Sequence, residues 1–162
     1  MSTSAGDDPP PRVERAERVI AAPADVIFDL LADPAQHARI DGSGSVRGVR
    51  DGSSQRLALG TKFSMDMKVG VPYRMRNEVV EFEEGRRLAW RHMGGHVWRY
   101  VLEPIDDHTT RVIEEFDWRP SKMPWLLKAT RAAERNSKAL QKTLERLDRA
   151  VTGGGEGAAP VV

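Results

Sequence analysis

Residues 123–151 read MPWLLKATRAAERNSKALQKTLERLDRAV. Met123, Leu126, Leu127, Thr130, Ala133, Ser137, Leu140, Leu144, Leu147 and Val151 recur at spacings of three and four, the period of one helical face. Lys128, Arg131, Arg135, Lys138, Lys142, Glu145 and Arg149 fill the opposite stripe. The spacing predicts one uninterrupted helix of about 28 residues, on the order of 40 Å long. Such a helix needs an apolar surface as long as itself, and the chain before it must supply that surface.

Working back from the helix, residues 46–118 read as strands and tight turns. The segment TKFSMDMKV (61–69) alternates, with Phe63, Met65 and Met67 on one face and Lys62, Ser64, Asp66 and Lys68 on the other. Turns at Gly70–Pro72, Glu84–Gly85, Gly94–Gly95 and Asp106–Asp107 are too short for crossovers, so the strands form an antiparallel meander. Directly opposed residues share a face. Turning at Gly94–Gly95 pairs His92 with His96, Trp90 with Trp98 and Leu88 with Tyr100. Turning at Gly70 pairs Met67 with Tyr73, Met65 with Met75 and Phe63 with Asn77. In the last hairpin, pairing Leu102 with Glu114 sets Tyr100 beside Phe116 and Trp98 beside Trp118. A two-residue turn there instead sends Glu114 outward, and a bulge near Glu84–Gly85 exchanges Val79 for Val80. Upstream, residues 12–21 read as a strand. A helix follows from Pro23 with Val26, Ile27, Leu30 and Leu31 on one face, and a helical turn covers residues 35–39.

Apolar residues make up 40% and charged residues 30%, the balance of a soluble globular domain. A net charge of +1 argues against a nucleic-acid partner. The absence of cysteine excludes disulfides, thiolate metal sites and a cysteine nucleophile. Residues 1–11, rich in Ser, Gly, Asp and Pro, and residues 153–162, GGGEGAAPVV, are expected to be disordered tails around a folded domain of residues 12–152. The N-terminus lacks a signal-peptide pattern and no apolar run matches a membrane span, so a cytoplasmic location without stable membrane insertion is expected. Nothing in the sequence specifies an oligomeric state.

The opening ERVIAAPADVIFDLLADPAQHARID (17–41), with RRLAWRH (86–92) and TTRVIEEFDW (109–118), resembles the START-like, or SRPBCC, superfamily. It is most similar to actinobacterial proteins of the polyketide cyclase/dehydrase type. The resemblance implies an α+β helix-grip fold. A curved antiparallel sheet of about seven strands wraps around the long C-terminal helix, a short helix pair follows the first strand, and a cavity lies between sheet and helix. No iron-ligand pattern of two histidines and a carboxylate is present, so no metal and no cofactor are expected.

The aromatic and methionine face and the helix stripe together give the candidate ligand contacts: Phe63, Met65, Met67, Tyr73, Met75, Asn77, Trp90, Trp98, Tyr100, Phe116, Trp118, Leu126, Thr130 and Ser137. Any sheet needs such a face as core, so a filled interior is the plain alternative. Glu114, His92 and Tyr100 are the candidate acid/base groups. An outward Glu114 paired with Arg99 or Arg111, and histidines exposed at a hairpin end, are the structural alternatives. His37 and Asp41 fall where entrances occur in similar proteins. Three functions remain open: a carrier of an apolar or aromatic small molecule, a cyclase or dehydratase of the polyketide type, and a protein-interaction module.

Overall fold

A computed structural model describes residues 12–50 and 55–153. The tails expected at 1–11 and 153–162 lie outside the described residues, apart from Gly153. In chain order the elements are β1 (Val13–Ile20), α1 (Ala24–Leu31), a 3-10 turn (Pro34–Gln36), α2 (His37–Ile40), β2 (Val46–Val49), β3 (Lys62–Val69), β4 (Val71–Glu83), β5 (Arg87–His92), β6 (Val97–Asp106), β7 (Thr109–Asp117), α3 (Pro124–Ala129) and α4 (Ala132–Thr152). The seven strands form one antiparallel sheet in the order β1-β7-β6-β5-β4-β3-β2. Register shifts fall in β2, β4 and β6. Such bulges increase local twist and bend the strands, and the sheet curls into a half-barrel around α4. This is the helix-grip arrangement.

Two Gly-containing hairpins have the register that opposed-face pairing predicts: Met67 opposes Tyr73 and Met65 opposes Met75, while Trp90 opposes Trp98 and Leu88 opposes Tyr100. At Glu84–Gly85 a bulge at Val80 keeps Val79 inward and buried. The last hairpin differs from expectation. Tyr100 opposes Glu114 and Trp98 opposes Phe116, two residues short of the predicted register. The turn is a two-residue one, with Asp106 opposite Thr109, and Asp106 accepts a bond from the His108 amide. That turn alone would send Glu114 outward. The extra residue at Ile105 restores the alternation, so Glu114 faces inward after all.

The C-terminal segment also corrects the expectation of one helix over 123–151. It breaks at Arg131, which sits in the left-handed region (φ 51°, ψ 37°), and α3 and α4 flank the joint. Thr130 Oγ1 donates to the Leu126 carbonyl, and the Arg131 amide closes a tight turn onto Lys128. The residues that α4 buries are Ala132, Ala139, Leu140, Thr143, Leu144 and Leu147. Beyond the joint the predicted stripe holds from Leu140 onward. Before it Trp125 is 65% and Leu126 38% exposed, and α3 buries no residue.

Leu140, Leu144 and Leu147 pack with Ile20, Ile27, Phe28, Leu31 and Val112 in the core. Each such leucine stabilises the fold by roughly 1.5–3 kcal/mol through burial. Arg18 on β1 donates to Asp148 on α4 at 2.7 Å. The Gly42 amide donates to Thr143 Oγ1 at 2.9 Å, which brings the loop after α2 onto the helix backbone. A Cβ at Gly42 would meet the Ala139 carbonyl, and would lie 2.5 Å from the Thr143 amide nitrogen. Gly42→Ala is therefore expected to destabilise the protein by roughly 1–3 kcal/mol, read as a lower urea midpoint with an unchanged m-value.

Candidate functional site

The concave face of the sheet does not meet α4 along its whole length. Between them lies a cavity of about 400 Å³. Ten of the expected contacts line it: Phe63, Met65, Met67, Tyr73, Met75, Asn77, Trp90, Trp98, Tyr100 and Phe116. Glu114 and His92 line it as well. Trp118, Leu126, Thr130 and Ser137 do not. Trp118 is buried at the sheet end under the Arg12 guanidinium, 5.6 Å from its ring centre. Leu126 and Thr130 sit exposed on the α3 side of the joint, and Ser137 is half-buried on α4. Asn136, one position earlier on α4, reaches the cavity in place of Ser137.

His37 closes one end. It stacks on Trp90 at 4.9 Å and its Nε2 bonds the Leu31 carbonyl at 2.8 Å. Burial holds its pKa below the ordinary histidine value, so the ring is a neutral wall element. Asp41, Lys68, Val69, Tyr73, Leu127, Ala132 and Arg135 complete the lining towards α4 and the β3–β4 hairpin. Leu127 belongs to the apolar stripe read from the sequence, whereas Ala132, Asn136 and Arg135 carried no individual signal as site residues, because their positions depend on the joint at Arg131.

The two remaining cavity histidines are not free at a hairpin end. Gly95, at φ 95°, packs against the Pro120 carbonyl, and the Lys122 amide donates to the Gly94 carbonyl at 2.9 Å. A Cβ at Gly95 would lie 2.5 Å from that Pro120 oxygen, so only glycine fits. The segment after β7 thus covers the β5–β6 turn. His92 and His96 stack at 4.4 Å, and His96 also meets the Phe116 ring edge-on. Burial lowers the pKa of His96 to about 4, and burial with His96 alongside lowers that of His92 well below its usual value. Both rings are neutral at physiological pH. His92 Nδ1 and Asn77 Oδ1 are buried without a hydrogen-bond partner.

Glu114 is completely buried. Its Oε1 accepts hydrogen bonds from Trp98 Nε1 and Tyr100 Oη, each at 2.7 Å. Oε2 is buried and unpartnered. Burial raises its pKa to about 8, against the lowering effect of the two donors. The carboxyl is therefore mostly protonated at neutral pH. Tyr100 is held protonated by its burial and by Glu114 beside it. The arginines that an outward Glu114 would meet face the other way: Arg99 bonds Glu81 and Glu115 on the convex face, and Arg111 bonds Glu17 and Glu103.

Chemically, the site offers an aromatic and methionine-lined chamber with a protonated carboxylic acid in its wall, neutral histidines beside it, and the charged side chains Asp41, Lys68 and Arg135 at its α2, β3 and α4 margins. Among the described residues no group of three or more His, Asp or Glu side chains is arranged to hold a metal ion. Nor is any helix long and apolar enough to cross a membrane.

Fold and cavity together define a helix-grip protein with a partly enclosed apolar chamber. The family described as polyketide cyclase/dehydrase and lipid transport matches residues 12–152, and the chain belongs to it. An uncharacterized Mycobacterium tuberculosis protein, Rv0088, is 40% identical over 119 residues, which are 73% of this chain and 52% of the relative. The chain thus spans about half the length of the curated relatives it matches. Among solved structures, Mesorhizobium loti protein MLL2253 aligns with a TM-score of 0.66 at 16% identity, over 90% of this chain and 100% of its own. Mycobacterium smegmatis protein Ms6760 aligns with a TM-score of 0.64 at 18% identity, over 89% and 93%. At these identities the structural likeness concerns the fold.

Proposed function

We propose that the protein binds an apolar or aromatic small molecule, lipid- or polyketide-like, in the chamber between the sheet and α4, as a cytoplasmic carrier or receptor. The observation that carries this reading is the chamber itself, at about 400 Å³, with Trp, Tyr, Phe and Met side chains on its sheet side. Such concave apolar sites with a few placed polar groups are the usual form of a small-molecule site. A merely structural core would be filled to close packing, and this interior is not.

The uncharged dye N-phenyl-1-naphthylamine is expected to bind saturably, with enhanced fluorescence. Met75 lines the chamber and is half-buried. Met75→Trp fills part of the space and is expected to weaken dye binding about tenfold or more, while the thermal transition stays cooperative. Dye binding that is absent in the wild type, or unchanged in the filled variant, would sink the proposal.

A second reading, a cyclase or dehydratase, is favoured by one feature: the protonated Glu114 with Tyr100 in the chamber wall. A protonated carboxylic acid held against an apolar ligand is equipped for general-acid work. Turnover of a polyketone chain by the wild type but not by Glu114→Leu would distinguish it from simple carriage.

A further inference from the structure

We propose that Glu114 is the specificity-determining contact of the chamber, where its Oε2–H donates a hydrogen bond to a carbonyl, or an equivalent uncharged acceptor, on an otherwise apolar ligand. This rests on the chamber being a ligand site.

The geometry separates the two carboxyl oxygens. Oε1 already accepts from Trp98 Nε1 and Tyr100 Oη, both at 2.7 Å. The indole nitrogen can only donate, and the tyrosine hydroxyl gives its hydrogen to Oε1 in this arrangement. Two donors on Oε1 leave the proton of a neutral carboxyl on Oε2. That oxygen is buried, has no partner and belongs to a residue lining the chamber. Leaving a buried polar group unpaired carries a free-energy cost, and a ligand acceptor placed there removes it.

The surroundings favour the neutral acid. On β1 the residue opposite is Ala16, with Glu14 and Arg18 two positions away and Arg18 bound to Asp148 of α4. On β6 the polar neighbours are Trp98 and Tyr100. Asp41, after α2, opposes ionisation through its own charge. His37, His92 and His96 are kept neutral by burial. Lys68 of β3 and Arg135 of α4 are exposed and also contribute to the chamber lining. Burial then keeps the Glu114 proton in place to about pH 8. The ligand class this selects is a neutral ketone, ester or amide on an aromatic or aliphatic body. A carboxylate at the same point would meet the buried Glu114 carboxyl among Trp98, Tyr100 and Phe116 and be disfavoured.

The test uses two probes with the full chain: 6-propionyl-2-(dimethylamino)naphthalene, and its propyl analogue, which lacks the carbonyl. The quantity read is the ratio of the two dissociation constants, at about pH 6 and about pH 10, on either side of the Glu114 titration. In the wild type the preference for the ketone is expected to fall about tenfold or more from the lower to the higher pH, the effect of one buried hydrogen bond. Glu114→Gln places an amide N–H where Oε2–H stood and is expected to keep the preference at both pH values. Glu114→Leu is expected to lose it at both. A wild-type ratio that does not change with pH, or a preference that survives in the leucine variant, overturns the assignment to Glu114 and leaves the chamber as a ligand site. Failure of both probes to bind the wild type overturns the ligand site and this assignment with it. Should the leucine variant not fold, the glutamine variant decides: a preference that still falls at high pH there overturns the proposal.

Discussion

Glu114→Gln is expected to be more stable than the wild type at pH 8 by roughly 4 kcal/mol, and about equally stable below pH 4.5. The folded-state pKa of about 8 lies above the ordinary glutamate value of 4.5, because burial favours the neutral form. The folded protein therefore holds a proton that the unfolded chain releases above pH 4.5. Stability from this group is complete below 4.5 and is lost as pH rises, at about 1.4 kcal/mol per unit, until the folded protein also releases the proton near 8. Glutamine has no proton to release, and it can accept from Trp98 and Tyr100 through its oxygen.

His37, His92 and His96 act in the opposite direction. Their folded pKa values are lowered from 6.5, so the stability they confer is present above 6.5 and is lost as pH falls, for His96 down to about 4. These four groups together place a wild-type stability maximum near pH 6.5. In the glutamine variant the alkaline limb flattens and the acid limb remains. Urea unfolding at a series of pH values reads both limbs. A wild type that keeps full stability from pH 6.5 to 8 would show that Glu114 is ionised in the fold.

Leu140→Ala is expected to cost about 2–5 kcal/mol and Leu126→Ala under about 1 kcal/mol, although both leucines lie on one continuous stripe in the sequence. Leu140 is fully buried in the core beneath the sheet. Leu126 lies before the joint at Arg131, on a helix that buries none of its residues. An unbroken helix would bury the two alike. Chemical denaturation of the two variants therefore measures the break itself, and equal losses would refute it.

That joint is also where the sequence was least legible. A helical stop is usually written with glycine or proline, and here the residues are Thr130 and Arg131, both ordinary within a helix. The apolar period runs across them without a gap. What decides the geometry is a Thr130 side-chain bond to its own helix and the packing of α4 on β1 and β7, and neither has a local signature. By contrast, the hairpins at Gly70 and Gly94–Gly95 were legible to the residue, because short glycine turns leave few registers and a slip would expose the aromatic face. The last hairpin shows where that logic stops. Its turn length was an open choice, and a bulge at Ile105 offset the turn that would have reversed Glu114. The inward face was thus right for Phe116 and Glu114, but their cross-strand partners were displaced by two, and Trp118 fell outside the chamber. His37 entered the site through a contact with Trp90 made between distant segments, and the sequence marked it only through its place after the first helix.

The left-handed residue between α3 and α4 divides the C-terminal segment into an anchor and a flap. The anchor is held by the core leucines and by the Arg18–Asp148 bond. The flap contributes Leu127 to the chamber lining and leaves Met123, Trp125 and Leu126 exposed. Local unfolding of α3 would therefore break few buried contacts, and is expected at a lower free energy than global unfolding. The six-residue helix α3 is thus tied to the fold by fewer buried side chains than α4.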